Sequence, residues 1–191
     1  MMLGGMNLFD SLCHTFTTMA TGGFSTKNIS IEHYRSPFLE YAITFFMFVG
    51  GCAGSTGGAI KCIRIYVLIK EAARELYRLI HPHAVAPVKL AEKVLPQETL
   101  NGIRALFFLY LGIFLLASLA VSLLGAGMIT SISAVAATLG NVGPGLGAVG
   151  PADNFAHLPT ASKWILTTCM LFGRLEIYTI LVLLLPEFWK K

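Results

Sequence analysis

The sequence predicts an all-α integral membrane fold, built from two tandem units of helix, re-entrant half-helix with loop, and helix. Three observations carry that prediction. The 191 residues are 55% hydrophobic and 13% charged, with a mean hydropathy of +0.70, about half the charge of an average soluble domain. Three stretches, Tyr41 to Ile60, Ala105 to Leu124 and Trp164 to Leu185, are long and apolar enough to cross about 30 Å of hydrocarbon. Finally, Leu8 to Ser25 shares an architecture with Met128 to Gly145, 120 residues further on. The bulk apolar content excludes disorder, and neither a Gly-X-Y period nor a heptad array is present.

The chain opens without a basic n-region, and Asp10 interrupts its first apolar run, so no cleavable signal peptide is expected. Leu8 to Ser25, LFDSLCHTFTTMATGGFS, reads as about a dozen residues of small, Ser/Thr-rich helix former, then a glycine bend and a polar loop. A helix of that length covers ~18 Å, about half a bilayer, so the segment must enter and return. The Tyr41 to Ile60 span carries Gly50-Gly51-Cys52-Ala53-Gly54-Ser55-Thr56-Gly57-Gly58. Five glycines in nine residues, each costing about 1 kcal/mol relative to alanine in a helix, must break it.

Tyr66 to Ile80 alternates charged and apolar residues as an amphipathic helix does, with i,i+3 pairs Glu71–Arg74 and Glu75–Arg78. His81 to Pro96, with three prolines, is a loop. After the Ala105 to Leu124 span, Met128 to Gly145, MITSISAVAATLGNVGPG, repeats the half-helix design. The last span carries Arg174 and Glu176 in its middle. The expected organisation is a first unit over 1–80, a linker over 81–98 and a second unit over 99–191.

Eight of the fourteen Lys and Arg lie between Lys61 and Arg104, among only four acids. With few aromatics and apolar runs on both sides, this reads as positive-inside topology rather than nucleic-acid binding. Lys61 to Arg104 and the C-terminus are then cytoplasmic. The excess of basic charge suits acidic lipid headgroups or an acidic partner. Cys13, Cys52, Cys62 and Cys169 show no C-x-x-C spacing, so neither a disulfide framework nor a zinc site is expected.

The loops Ala20-Thr21-Gly22-Gly23-Phe24 and Gly140-Asn141-Val142-Gly143-Pro144 have the composition of an ion pathway. Glycine permits the positive φ that aims successive carbonyls inward, and carbonyl oxygens can replace a cation's hydration shell while a helix C-terminus adds its negative dipole end. No carboxylate lies in either loop, which suits a monovalent cation better than a divalent one. The competing reading is that these glycines only permit close helix packing. For Gly50 to Gly58 two readings fit equally: a flexible strap acting as a gate, or a packing kink. Arg174 lies where a cation usually faces a cavity or a partner.

Enzyme signatures fail on inspection. Gly145 to Gly150 matches G-x-G-x-x-G but follows no strand, and Gly58 is followed by Ala59 where a Walker motif needs Lys. Cys13 and His14 are adjacent and so point about 100° apart on a helix. His81 and His83 have no third metal ligand nearby. No enzyme activity, covalently bound cofactor or resident metal is expected.

The motifs TTMATGGFST (Thr17 to Thr26), FVGGCAGSTGGAIKCIRI (Phe48 to Ile65), LGNVGPGLG (Leu139 to Gly147) and FGRLEIYT (Phe172 to Thr179) together resemble the Trk/Ktr/HKT superfamily of potassium transporters. The resemblance implies potassium as substrate and a pore built from four helix, half-helix loop, helix repeats in a bacterial inner membrane. This chain corresponds to the third, without its first helix, and the fourth. It implies a potassium filter formed by Thr21, Gly22, Gly23, Phe24, Asn141, Val142, Gly143 and Pro144, with Gly23 and Gly143 as its key glycines. It implies a gate of Gly50, Gly51, Gly54, Ser55, Thr56, Gly57, Gly58 and Lys61, opposed by Arg174. Partners implied are membrane lipid, a second copy in a homodimer, and a cytosolic nucleotide-binding regulatory subunit of the TrkA type. The alternatives are a secondary transporter of another fold with re-entrant loops, or a non-conducting assembly subunit. The like orientation of the two units disfavours the former, whose repeats are usually inverted.

Overall fold

The computed structural model describes residues 1–34, 36–52, 54–55, 57–84, 86–90, 93–175 and 177–190. Its order is α1 (Leu8–Met19), α2 (Pro37–Phe48), β1 (Val49–Gly50), β2 (Ile60–Lys61), α3 (Cys62–Ile80), β3 (Lys89–Leu90), β4 (Lys93–Val94), α4 (Gln97–Leu123), α5 (Met128–Leu139), α6 (Thr160–Arg174), α7 (Ile177–Leu184) and α8 (Pro186–Trp189), with short 3-10 turns between. The fold is all-α and membrane-embedded. Among the described residues its strands form two small pairs, β1 with β2 in parallel and β3 with β4 antiparallel.

Both half-helices are 12 residues long, and their backbones repeat at the 120-residue offset. Left-handed turns precede them at Gly5 (φ 93) and Gly125 (φ 97). At their C-termini Ala20 N–H donates to Phe16 O and Gly140 N–H to Ala136 O, while Gly22 N–H donates to Thr17 O and Val142 N–H to Ala137 O. Positive φ then recurs at Thr21 (54) and Asn141 (55), and at Gly23 (67) and Gly143 (111). These bonds satisfy carbonyls that a helix end leaves open.

α4 is the one described helix that is alone long and apolar enough to cross a membrane, with 27 residues. Tyr110, Phe114, Ala117, Ser118 and Val121 form its inward stripe, and Phe48 of α2 packs edge-on against Phe114 with ring centroids 4.8 Å apart. Its other face leaves Phe108, Leu115, Leu116, Leu119 and Leu123 more than half exposed, an apolar surface suited to lipid chains rather than water. α5 is the opposite case. Thr130, Ser131, Ser133 and Thr138 are buried along with its apolar residues; the hydroxyls of Ser131, Ser133 and Thr138 donate to backbone carbonyls, as with Thr138 to Ala134 O at 2.7 Å, and that of Thr130 accepts from Ala148 N–H. A short helix inside a bilayer requires such surroundings.

α6 crosses α5 at Gly173, where a Cβ would run into the carbonyl of Leu139 and the Asn141 amide. Gly173→Ala is therefore expected to overpack this crossing by about 1–3 kcal/mol. Thermal unfolding in detergent should show the loss, and an unchanged midpoint would refute the assignment.

Several expected boundaries move. The Tyr41 to Ile60 span is helical only to Phe48, because the glycine-rich stretch leaves the helix and returns through the β1–β2 pair. The amphipathic helix begins at Cys62, not Tyr66, and its Glu71–Arg74 and Glu75–Arg78 pairs form at 3.3 and 3.5 Å. The 81–96 loop holds β3 and β4. α4 starts at Gln97 rather than Ala105, after Pro96, since the polar turns at its start are invisible to hydropathy. The Trp164 to Leu185 span is two helices, with α6 ending at Arg174. Arg174 thus occupies a helix C-terminus, where the negative dipole end favours a cation. Of the residues singled out above, Ala53, Thr56 and Glu176 lie outside the described residues.

Candidate functional site

Three backbone segments meet at the C-termini of the two half-helices. The loop after α1 and the loop after α5 abut directly: a Cβ on Gly23 would strike the carbonyl of Val142 and approach Pro144 Cδ to 2.8 Å. Gly143 differs, because among the described residues nothing lies within 4 Å of its Cβ position. Gly22, Phe24 and Gly143 are exposed, Gly23, Asn141 and Pro144 half-buried, and Thr21 and Val142 buried. Asn141 holds its loop against α6 by donating from Nδ2 to Met170 O at 3.2 Å.

The third segment is the strap from Gly50 to Gly58. The parallel pairing of Val49 with Ile60 and Gly50 with Lys61 closes its base. Gly51 N–H donates to Met19 O, the last residue of α1, at 2.8 Å. At the other end Gly58 N–H donates to Thr21 Oγ1 at 3.3 Å, and a Cβ on Gly58 would strike the carbonyl of Gly140 and come within 2.9 Å of Asn141 Cβ. The strap thus lies against the C-terminal ends of both half-helices. Among the described residues nothing lies within 4 Å of the Gly54 Cβ position.

A cavity of about 190 Å³ opens beside the strap, lined by Ser55, Gly57, Lys61, Arg64, Tyr110 and Arg174 among others. The structure therefore gathers Ser55 and Gly57 of the strap, Lys61 and Arg174 around one space, while Gly50, Gly51, Gly54 and Gly58 do not line it, and the two loops touch at Gly23, Val142 and Pro144. Two features escaped the sequence reading. Arg64 joins Lys61 and Arg174 at the cavity, one turn along α3. Asp10 and His14 of α1 face the outgoing limb of the first loop: Thr26 donates to Asp10 at 2.5 Å and Ser25 Oγ lies 3.3 Å from His14 Nε2. Their i,i+4 spacing with the polar Thr17 and Thr18 was the available signal. Among the described residues no group of three His, Cys, Asp or Glu is placed to hold a metal ion.

Comparison with known proteins gives this geometry a family. Residues 40–191 match the family described as TrkH, cation transport protein. The chain is 44% identical over 97% of its length to the Trk system potassium uptake protein TrkH of Salmonella typhimurium, and 45% identical over 98% to TrkI of Halomonas elongata. It spans 39% and 38% of those relatives. The crystal structure of the potassium transporter TrkH from Vibrio parahaemolyticus superposes with a TM-score of 0.84 at 42% identity, covering 95% of this chain and 38% of that one. The chain belongs to the TrkH family of cation transport proteins.

Proposed function

We propose that this chain supplies the last two repeats of a potassium-uptake pore in a bacterial inner membrane, with units over 1–80 and 99–191 joined by a cytoplasmic linker over 81–98. The observation that carries the reading is the residue-for-residue recurrence of half-helix, left-handed turn and glycine at 120 residues, with the two loops in contact at Gly23 and Val142. Thr21 to Phe24 and Asn141 to Pro144 form half of a carbonyl filter. Two half-helix C-termini face it with their negative dipole ends, and neutral oxygens favour a monovalent cation. Potassium is the transported substrate; cation transport, not catalysis, is the family's described activity.

The strap from Gly50 to Gly58 acts as the gate beneath this filter, and Lys61, Arg64 and Arg174 raise the barrier in the cavity beside it. Lys61 to Arg104 and the C-terminus face the cytoplasm. A complete subunit pairs as a homodimer, contacts lipid along α4, and binds a cytosolic nucleotide-binding regulator of the TrkA type. That α3 carries the basic cluster and continues directly from the strap through β2 supports the coupling of regulator to gate.

The test is potassium uptake in an uptake-deficient bacterial strain. Joined to the first two repeats of the Salmonella relative, the chain should restore growth at low potassium; a verified membrane-inserted chimera without uptake refutes the reading. In that chimera Arg174→Gln should raise flux about tenfold, because a unit charge within about 10 Å of a passing cation costs it roughly 1.7 kcal/mol at an effective dielectric near 20. Unchanged or lower flux at equal membrane level would place Arg174 outside the barrier.

A further inference from the structure

Asp10 is an acid in the first turn of a half-helix, almost wholly buried at 2% exposure. Burying a carboxylate is costly unless its oxygens are bonded, and here both are. Thr26 donates to Oδ1 at 2.5 Å and Tyr34 Oη to Oδ2 at 2.5 Å, while Lys27 Nζ lies 3.8 Å from Oδ2. Two further ties lie on the same face of α1. Thr17 Oγ1 donates to Phe24 O at 2.8 Å, and His14 Nε2 meets Ser25 Oγ at 3.3 Å. Every residue from Phe24 to Lys27 is therefore tied back to α1, by its carbonyl or its side chain, immediately after Gly23.

The second unit makes the same kind of tie without charge. The position 120 residues after Asp10 is Thr130, whose Oγ1 accepts from Ala148 N–H at 3.4 Å, and Ser133 Oγ exchanges two 3.0 Å bonds with the backbone of Leu146. Hydroxyls are enough to hold a limb whose own backbone returns to α5. In the first limb the ties run through the Thr26 and Tyr34 side chains, 16 and 24 residues away. An acceptor with two oxygens serves both donors at once, and charge assistance roughly doubles each bond.

We propose that Asp10 is a positioning residue for the first loop: its carboxylate fixes the limb from Phe24 to Lys27 and so sets where the carbonyls of Gly22 and Gly23 stand. This rests on the pore reading above. A two-residue link of extended chain reaches only about 7 Å, so slack at Thr26 passes to Phe24 and Gly23 with little loss. The consequence is selectivity and half-saturation that depend on an acid which never touches the ion.

The test uses the four-repeat chimera, with unaltered protein as the reference for the pore reading: if that reference fails to take up potassium, the pore reading falls, and the variants are read only where it conducts. Asp10→Asn keeps the shape but turns one acceptor into a donor facing two hydroxyl donors. At equal membrane level it should raise the potassium half-saturation about fivefold or more and lower potassium-over-sodium discrimination by a similar factor, leaving the maximal rate within about twofold. Thr26→Val with Tyr34→Phe removes both donors and leaves Asp10 in place. It should reproduce the phenotype, and combining it with Asp10→Asn should add little. If Asp10→Asn fails to insert, the donor pair decides alone. Unchanged half-saturation and discrimination in whichever variants insert would overturn the proposal, as would a fall in maximal rate with selectivity intact, which is what a merely structural role produces.

Discussion

Gly23→Ala should abolish selective potassium uptake in the four-repeat chimera, while Gly143→Ala should leave a folded pore with altered selectivity. The two glycines hold equivalent places after α1 and α5, with φ of 67 and 111. Alanine pays a backbone penalty at both, about 1–3 kcal/mol for a side chain held in a sparsely populated region. Their surroundings differ. At Gly23 the new methyl meets the Val142 carbonyl and Pro144 Cδ at 2.8 Å, so it cannot be accommodated without pushing one loop off the other. Val142 is buried and its N–H is held by Ala137 O at 2.9 Å, which leaves the first loop to yield. At Gly143 the methyl enters open space, and only the φ penalty remains.

Rubidium uptake with sodium competition, normalised to membrane level, separates the cases. Gly23→Ala should fall by about a hundredfold or more if its loss combines overpacking and strain of about 1–3 kcal/mol each. Gly143→Ala should retain measurable flux with weaker discrimination. Equal losses at the two positions would mean that loop contact is irrelevant and that φ alone sets the phenotype.

What could be read from the sequence divides along a physical line. Local composition and period exposed the half-helices, whose small, hydroxyl-rich residues and following glycines announce a short helix ending in a bend. The break in the first span was equally local, because nine residues with five glycines cannot hold helix hydrogen bonds. Features created by tertiary contact were silent. Thr21 and Asn141 adopt φ of 54 and 55 although neither is glycine, and what holds them is Gly58 on one and Met170 on the other. The two-residue β1–β2 pair has no periodicity to detect. Hydropathy carried the last span through Arg174, whereas the helix ends there. Asp10 looked like an interruption of an apolar run. Only the chain's return at Thr26 and Tyr34 gives it partners.

Gly58→Ala should open the pore, and Gly54→Ala should not. The strap is fastened at its base by the pairing of Val49 with Ile60 and Gly50 with Lys61 and by Gly51 N–H on Met19 O. Those bonds involve backbone on both sides and survive most substitutions. Its second attachment is Gly58, whose N–H reaches Thr21 Oγ1 and where an added Cβ would meet the Gly140 carbonyl and Asn141 Cβ. A methyl at Gly58 has nowhere to go, because Gly140 N–H is itself bonded to Ala136 O within the α5 terminus and that helix is the most enclosed part of the fold. The Gly58 end must lift from Thr21 and Gly140 while the base, with Gly51 still bonded to Met19 O, stays in place. If strap contact with these termini is what closes the path, relieving about 1–3 kcal/mol of overpacking by lifting raises basal flux by roughly tenfold or more, with no regulator required. No atom of the described residues lies within 4 Å of the Gly54 Cβ position, so its alanine variant should stay within about twofold of the parent. Potassium efflux from proteoliposomes lacking any regulatory subunit measures both. A Gly58→Ala variant that inserts normally yet conducts no better than Gly54→Ala would mean that the strap is a packing kink, and that the barrier lies instead with the basic residues of the neighbouring cavity.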